Sequence, residues 1–139
     1  LGKDHQVVLI HLGGSSGINA KAATQLEEIK RITENVSALI DSERMEPGEK
    51  LSVSREGFVT ACEKASISCC VTERRAIENY LTEPAIKKIK GDKYRALNHF
   101  ESLNDVSQPW GKEENWRIAK EMEKADWIFT DIGKFLATL

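Results

Sequence analysis

The short, mostly apolar run Val36-Ser37-Ala38-Leu39-Ile40 stops abruptly at Asp41-Ser42-Glu43. A run of this kind reads as a parallel strand buried on both faces. The acids then fall at its carboxyl end, where ligands bind in open α/β sheets. Alternate residues of an extended chain point the same way, so Asp41 and Glu43 can converge on one point. Two adjacent carboxylates repel unless a hard cation such as Mg2+ lies between them. Two solvated acids in a turn would carry the same letters, so the rest of the chain has to decide.

Apolar runs alternate with helical spacing through the first half. Gln6 to His11 reads as a strand and Gly13-Gly14-Ser15-Ser16-Gly17 as a loop. Ala22, Leu26 and Ile29 follow at helical spacing, with Asn19 as N-cap. Val36 to Ile40 is the second strand, and Met45 to Val53, with Pro47-Gly48, is a polar loop. Phe58, Cys62 and Ala65 mark a second helix, and Ile67 to Val71 a third strand. Strands alternating with helices imply right-handed crossovers and a parallel sheet. After Thr72 the strand pattern stops. Thr82-Glu83-Pro84 starts a helix that Gly91 ends, with Ile86 and Ile89 facing inward. Residues 113 to 125 are helical by pattern, with Ile118, Met122 and Ala125 on one side. Thr130 caps a last helix carrying Ile132, Phe135, Leu136 and Leu139. The expected fold is α/β in three layers, with a short parallel sheet of three strands and a helical C-terminal half, residues 74–139.

A chain of 139 residues, 40% hydrophobic and 30% charged, suits one globular domain spanning 1–139. No apolar stretch approaches the roughly 20 residues needed to span a bilayer, and no signal peptide is apparent. These features predict a cytoplasmic protein without a membrane partner. Cys62, Cys69 and Cys70 are odd in number and include an adjacent pair, which is not a disulfide framework. They read as reduced thiols. The net charge of −2 neither requires nor excludes nucleic acid. The chain begins Leu1-Gly2-Lys3 and enters an apolar run almost at once, the pattern of a piece of something longer.

Further residues carry candidate chemistry. The Gly-rich loop could cradle a phosphate with its backbone N–H groups, but it lacks a Walker Lys-Ser/Thr and does not fit G-x-G-x-x-G, which favours a flexible strand-to-helix turn. The third strand ends in Thr72-Glu73-Arg74-Arg75-Ala76-Ile77-Glu78-Asn79-Tyr80, which delivers further acids to the same sheet edge. Glu78 is favoured over Glu73, because Ile77 and Tyr80 supply packing neighbours that would fix it. A surface salt-bridge cluster is the alternative. Lys112 enters a helix after the Pro109–Gly111 turn, where its charge opposes the helix dipole and asks for a reason. It could stabilise charge developing on a phosphate. Trp110 and Trp116 read as packing residues. Lys87, Lys88, Lys90 and Lys93 form a basic run with Arg95 that could meet a nucleic-acid backbone, or form a solvated helix face. His5, His11 and His99 are scattered along the sequence and are assigned no role.

Three segments together resemble the Toprim portion of OLD-family (overcoming lysogenization defect) proteins: Ala38-Leu39-Ile40-Asp41-Ser42-Glu43-Arg44, Glu73 through Leu81, and Trp110 through Ala119. The resemblance covers about residues 6 to 138. It implies a Toprim-like nuclease domain preceded by an ATPase domain or subunit, with DNA as substrate, Mg2+ or Mn2+ as cofactor, homo-oligomerisation of the complete protein and, in many members, a role in antiphage defence. It implies that Asp41 and Glu43 are the acidic pair that binds metal. Glu78 matches a later acid holding a second metal, with Thr72 beside it, and Lys112 matches the lysine that assists phosphodiester cleavage. The chain departs from the family in one respect. Toprim domains open with a strand followed by a glutamate, ahead of the Gly-Gly strand, and this sequence starts too late to contain it. The chain alone is therefore expected to be inactive.

Two other readings compete. One is a non-catalytic Toprim-like interaction module that docks an ATPase or another partner. The other is a receiver-like domain with Asp41 as phosphoryl acceptor, weakened because residues 5–12 offer no second acidic pair.

Overall fold

The computed structural model describes residues 7–12 and 16–139. Gln6 and Gly13-Gly14-Ser15 of the expected first strand and loop lie outside the described residues. A short 3-10 turn, Ala20–Ala22, opens with the Asn19 side chain accepting the Lys21 N–H at 2.8 Å. Helix α1 (Ala23–Ile32) continues from it and leads into strand β1 (Ser37–Ile40). Helix α2 (Val53–Lys64) follows, capped by Ser52, whose hydroxyl accepts the Arg55 N–H. Strand β2 (Ser68–Val71) returns parallel to β1, with Ser37 opposite Ser68 and Ile40 opposite Val71.

Register and burial place one core. Ala38 and Ile40 share a sheet face with Cys69 and Val71. Leu26 of α1 and Phe58, Ala61 and Cys62 of α2 close over that face, with Ile67. Gly57 lets the Ala20 turn approach α2: a Cβ there would lie 3.1 Å from the Ala20 Cβ. The opposite face presents Leu39 and Cys70, both half-buried.

The C-terminal half forms a second core of Leu81, Ala85, Ile86, Leu97, Leu103, Val106, Trp110 and Ile118. Helix α3 (Glu83–Lys90) has Pro84 in its first turn and stops at Gly91, whose φ of 102° favours glycine. Helices α4 (Asn115–Ala119), α5 (Lys124–Trp127) and α6 (Asp131–Leu136) complete the chain. Among the described residues, no helix is long and apolar enough to cross a membrane.

The α/β class, the parallel pairing and the helical second half agree with the sequence reading. Several finer expectations need correction. The sheet has two strands among the described residues, not three. Val7 to Ile10 is not in a strand and is exposed on every residue, so among the described residues it has neither the ladder nor the cover that a buried parallel strand needs. The helix expected over 113–125 is interrupted after Ala119, and Ala125 is exposed. Trp116 is 59% exposed rather than packed. In the last helix Ile132 alone is buried, while Leu136 and Leu139 are about half exposed.

Candidate functional site

The Asp41-Ser42-Glu43 tripeptide leaves β1 and is tied residue by residue to the segment that leaves β2. Asp41 Oδ1 accepts the Ile77 N–H at 2.9 Å, and its backbone carbonyl accepts from Arg55 Nε at 2.7 Å. Ser42 is buried. Its N–H donates to Thr72 Oγ1 at 2.9 Å and its hydroxyl to the Arg74 carbonyl at 2.8 Å. The Glu43 N–H donates to the Arg75 carbonyl at 2.8 Å, and its carboxylate lies 3.0 Å from the Arg75 guanidinium. Glu43 has a φ of 56°, a conformation that a side chain with a Cβ adopts at a cost. Such strain persists where the surroundings over-determine it. Here the Arg75 carbonyl and guanidinium hold Glu43 at both ends.

Glu78 sits in a 3-10 turn, Ile77–Tyr80, that begins at the Asp41 carboxylate. The turn is locked from inside by Asn79. Its Oδ1 accepts the Ala76 N–H at 3.1 Å, and its Nδ2 donates to the carbonyls of Asn98 at 2.6 Å and Glu101 at 2.9 Å. The Glu78 side chain is only 6% exposed, and its Oε1 lies 2.6 Å from Lys112 Nζ. Lys112 opens a short turn, Lys112–Glu114, after Gly111, and reaches in from the second half while staying 60% exposed. Glu43, Arg75, Glu78 and Lys112 line a cleft of about 170 Å³, together with Ser102 and Asn104.

The charges in this group act on each other. Burial raises the Asp41 pKa above its ordinary value. The Ile77 N–H opposes that shift, while the charges of Glu78 and Glu43 add to it and Lys112 works against it. Burial also works against the Lys112 charge, but the bond to Glu78 and the charges of Glu78, Glu43 and Asp41 outweigh it and hold the ammonium above its usual range. Asp41, Glu43, Glu78 and Lys112 thus form one electrostatic unit, drawn from three separate parts of the chain.

Hard carboxylate oxygens are the donors that Mg2+ and Mn2+ take. The set fits a divalent cation in kind and charge. It is not a closed ligand sphere: among the described residues no three acidic, His or Cys side chains converge at ligand range, and Glu43 and Glu78 face Arg75 and Lys112 instead.

The other sequence candidates fall elsewhere. Thr72 is fully buried, and its hydroxyl is engaged by Ser42 and by the Arg74 carbonyl. Glu73 is exposed, away from the cleft-lining residues. In the basic run, Lys87 pairs with Glu83 at 2.5 Å, Lys88 with Glu121, and Lys90 with Glu114 at 2.6 Å. Lys93 is exposed, and Arg95 grips Glu101 with two bonds of 2.7 and 2.8 Å. The run is therefore largely neutralised by its own neighbours.

Sequence reasoning missed Arg75, Ser42, Asn79 and Asp131. Arg75 carried a signal, a cation beside acids at a strand end. Asp131 reads only as a favourable acid in the first turn of a helix. Its Oδ2 accepts the Glu73 N–H at 2.8 Å, and its carboxylate takes the Tyr80 hydroxyl at 2.7 and 2.9 Å. Burial pushes the Tyr80 phenol up, with the Arg74 N–H opposing and Asp131 adding to the shift, so it remains a donor.

No family model, curated protein or solved structure matches this chain.

Proposed function

We propose that this chain is the metal-binding edge of a Toprim-like nuclease, which cleaves DNA phosphodiesters with Mg2+ or Mn2+ alongside an ATPase domain or subunit. The observation that carries the reading is the tie between the segments that leave the two parallel strands: Asp41 accepts the Ile77 N–H at the start of the turn that carries Glu78, and Lys112 reaches Glu78 from the helical half. Acids gathered around a buried carboxylate are costly unless a cation offsets them, and costly charge clusters gather at functional sites.

Asp41, Glu43 and Glu78 would hold the cation once Glu43 and Glu78 turn from Arg75 and Lys112 toward it, and the cation would supply a polarised phosphate and an activated water when bound. The Lys112 ammonium, which lines the cleft and is open to water, would approach a phosphate oxygen and offset charge developing there. Arg75 would keep Glu43 in its strained conformation. Ser102 and Asn104 would present polar atoms to the rest of the substrate.

The test is plasmid nicking by the intact protein, with and without Mn2+. Wild type is compared with Asp41→Ala and Lys112→Ala. The expected result is Mn2+-dependent nicking that both substitutions abolish. Equal activity in all three removes the nuclease role of these residues. It would favour the interaction module, a reading consistent with Glu43 and Glu78 already being paired within the chain.

A further inference from the structure

Asp131 joins the C-terminal helix to the segment that carries Glu78. Both of its oxygens are engaged by that segment, one also taking the Glu73 N–H and both the Tyr80 hydroxyl. The same Tyr80 oxygen accepts the Arg74 N–H at 3.1 Å. The Arg74 guanidinium lies 4.6 Å over the Tyr80 ring and donates to the Asn79 carbonyl at 2.7 Å. Residues 73, 74, 79 and 80 are therefore held in one network, and Arg75 and Glu78 lie between its ends.

We propose that Asp131 is a positioning residue for the acid cluster: through Tyr80 and the Glu73 amide it fixes the segment that presents Glu78 and Arg75. This rests on the metal-site reading above. Two observations set it apart from an ordinary acid at a helix start. A dipole interaction needs no particular partner, yet these oxygens are directed at residues far away in sequence. And α6 buries a single apolar residue, Ile132, so its apolar anchorage is slight and the polar tie carries much of the attachment. Partners one step removed from metal ligands set ligand orientation, and their loss weakens affinity.

The experiment measures Mn2+ binding by electron paramagnetic resonance in the intact protein, with folding followed by circular dichroism. Asp131→Asn keeps the shape but places an amide N–H against one of two donors. Tyr80→Phe removes the hydroxyl and keeps the ring. Each should lower Mn2+ affinity by about tenfold, and the double variant should be no worse than the weaker single, because both interrupt one path. Thr130→Val is the structural control. It removes the hydroxyl that caps α6 at the Gly133 N–H and that donates to the Trp127 carbonyl, both outside residues 73–80, and should lower thermal stability with Mn2+ affinity unchanged. Wild-type affinity in both Asp131→Asn and Tyr80→Phe overturns the inference, as does an equal loss in Thr130→Val. Absence of Mn2+ binding by the wild type overturns the metal reading itself, and this inference with it.

Discussion

Lys112 Nζ lies 2.6 Å from Glu78 Oε1, joining the helical half of the chain to a carboxylate buried beside β1 and β2. The two ends of this pair are unequal. Glu78 is enclosed, whereas water reaches the Lys112 ammonium. Removing the lysine leaves a buried acid facing Asp41 and Glu43. Lys112→Ala should therefore destabilise the fold by about 1–3 kcal/mol in urea denaturation, less than a fully enclosed pair because the solvent already screens one side. Adding Glu78→Gln should restore most of that loss. If the double variant is as unstable as the single, the Glu78 charge is not the cause.

The strain at Glu43 has a measurable consequence. A Cβ in the left-handed region costs roughly 1–2 kcal/mol, and glycine has none. Glu43→Gly and Glu43→Ala lose the same ion pair with Arg75. The glycine variant should nevertheless be more stable than the alanine variant by about 1 kcal/mol, and neither should bind Mn2+ as wild type does. Equal melting temperatures for the two would show that the backbone at residue 43 relaxes.

The strand end was legible because sheet geometry acts over a few residues: Ser37–Ile40 of the expected run forms β1, and Asp41-Ser42-Glu43 follows it directly. The caps at Asn19, Ser52 and Thr130 are similarly local, though Ser52 was read as loop. The turn that presents Glu78 was not legible in shape. Its form depends on Asn79, Asp41 and the carbonyls of Asn98 and Glu101, which only tertiary contact brings together. Asp131 was invisible for the same reason. Periodicity overstated order at both ends. Val7–Ile10 has the letters of a covered strand but pairs with no strand among the described residues, and Leu136 and Leu139 have helical spacing but stay about half exposed.

The cleft wall should respond to acid. Arg95 is the main cause that lowers the Glu101 pKa, with the Asn98 N–H adding to it, to about 2 against an ordinary 4.5. A carboxyl depressed on folding contributes stability above its unfolded value and loses it as pH falls toward the folded one. The contribution should be intact above about pH 5 and fade between 4.5 and 2. Glu101→Gln should be less stable than wild type at neutral pH, with the gap closing over that acid window. A gap that stays constant with pH would assign the loss to shape rather than charge. The effect is small because Arg95 is half exposed to water.

The three thiols should be free and slow. Cys62 is buried, and the Cys69 pKa is pushed up to about 12 by burial first and then by Cys62. Burial, then the charges of Asp131 and Glu73, raise Cys70. Since the thiolate is the reacting form, raised values mean little nucleophile at pH 8. Alkylation read by mass spectrometry should leave Cys62 and Cys69 largely unlabelled in the native protein and label all three after denaturation without reductant. A labelled count below three after denaturation would reveal a disulfide.

Asp41→Asn separates stability from function most sharply. The Asp41 carboxylate is half-buried, and its pKa is raised by that burial and by the charges of Glu78 and Glu43. Near neutral pH its charge therefore opposes folding. The substitution removes that charge, while the amide oxygen can still accept the Ile77 N–H that starts the turn carrying Glu78. The Arg55 bond goes to the Asp41 backbone carbonyl and is untouched. In EDTA at pH 7, Asp41→Asn should raise stability by roughly 0.5–2 kcal/mol, the gain typical of relieving a site kept charged for function. With Mn2+ added, the order should reverse: a cation that binds the folded wild type stabilises it by mass action, and the variant should gain nothing. A variant that is less stable than wild type in EDTA would mean that the Asp41 charge is structurally compensated. A variant that gains as much from Mn2+ as wild type would remove Asp41 from the proposed ligands.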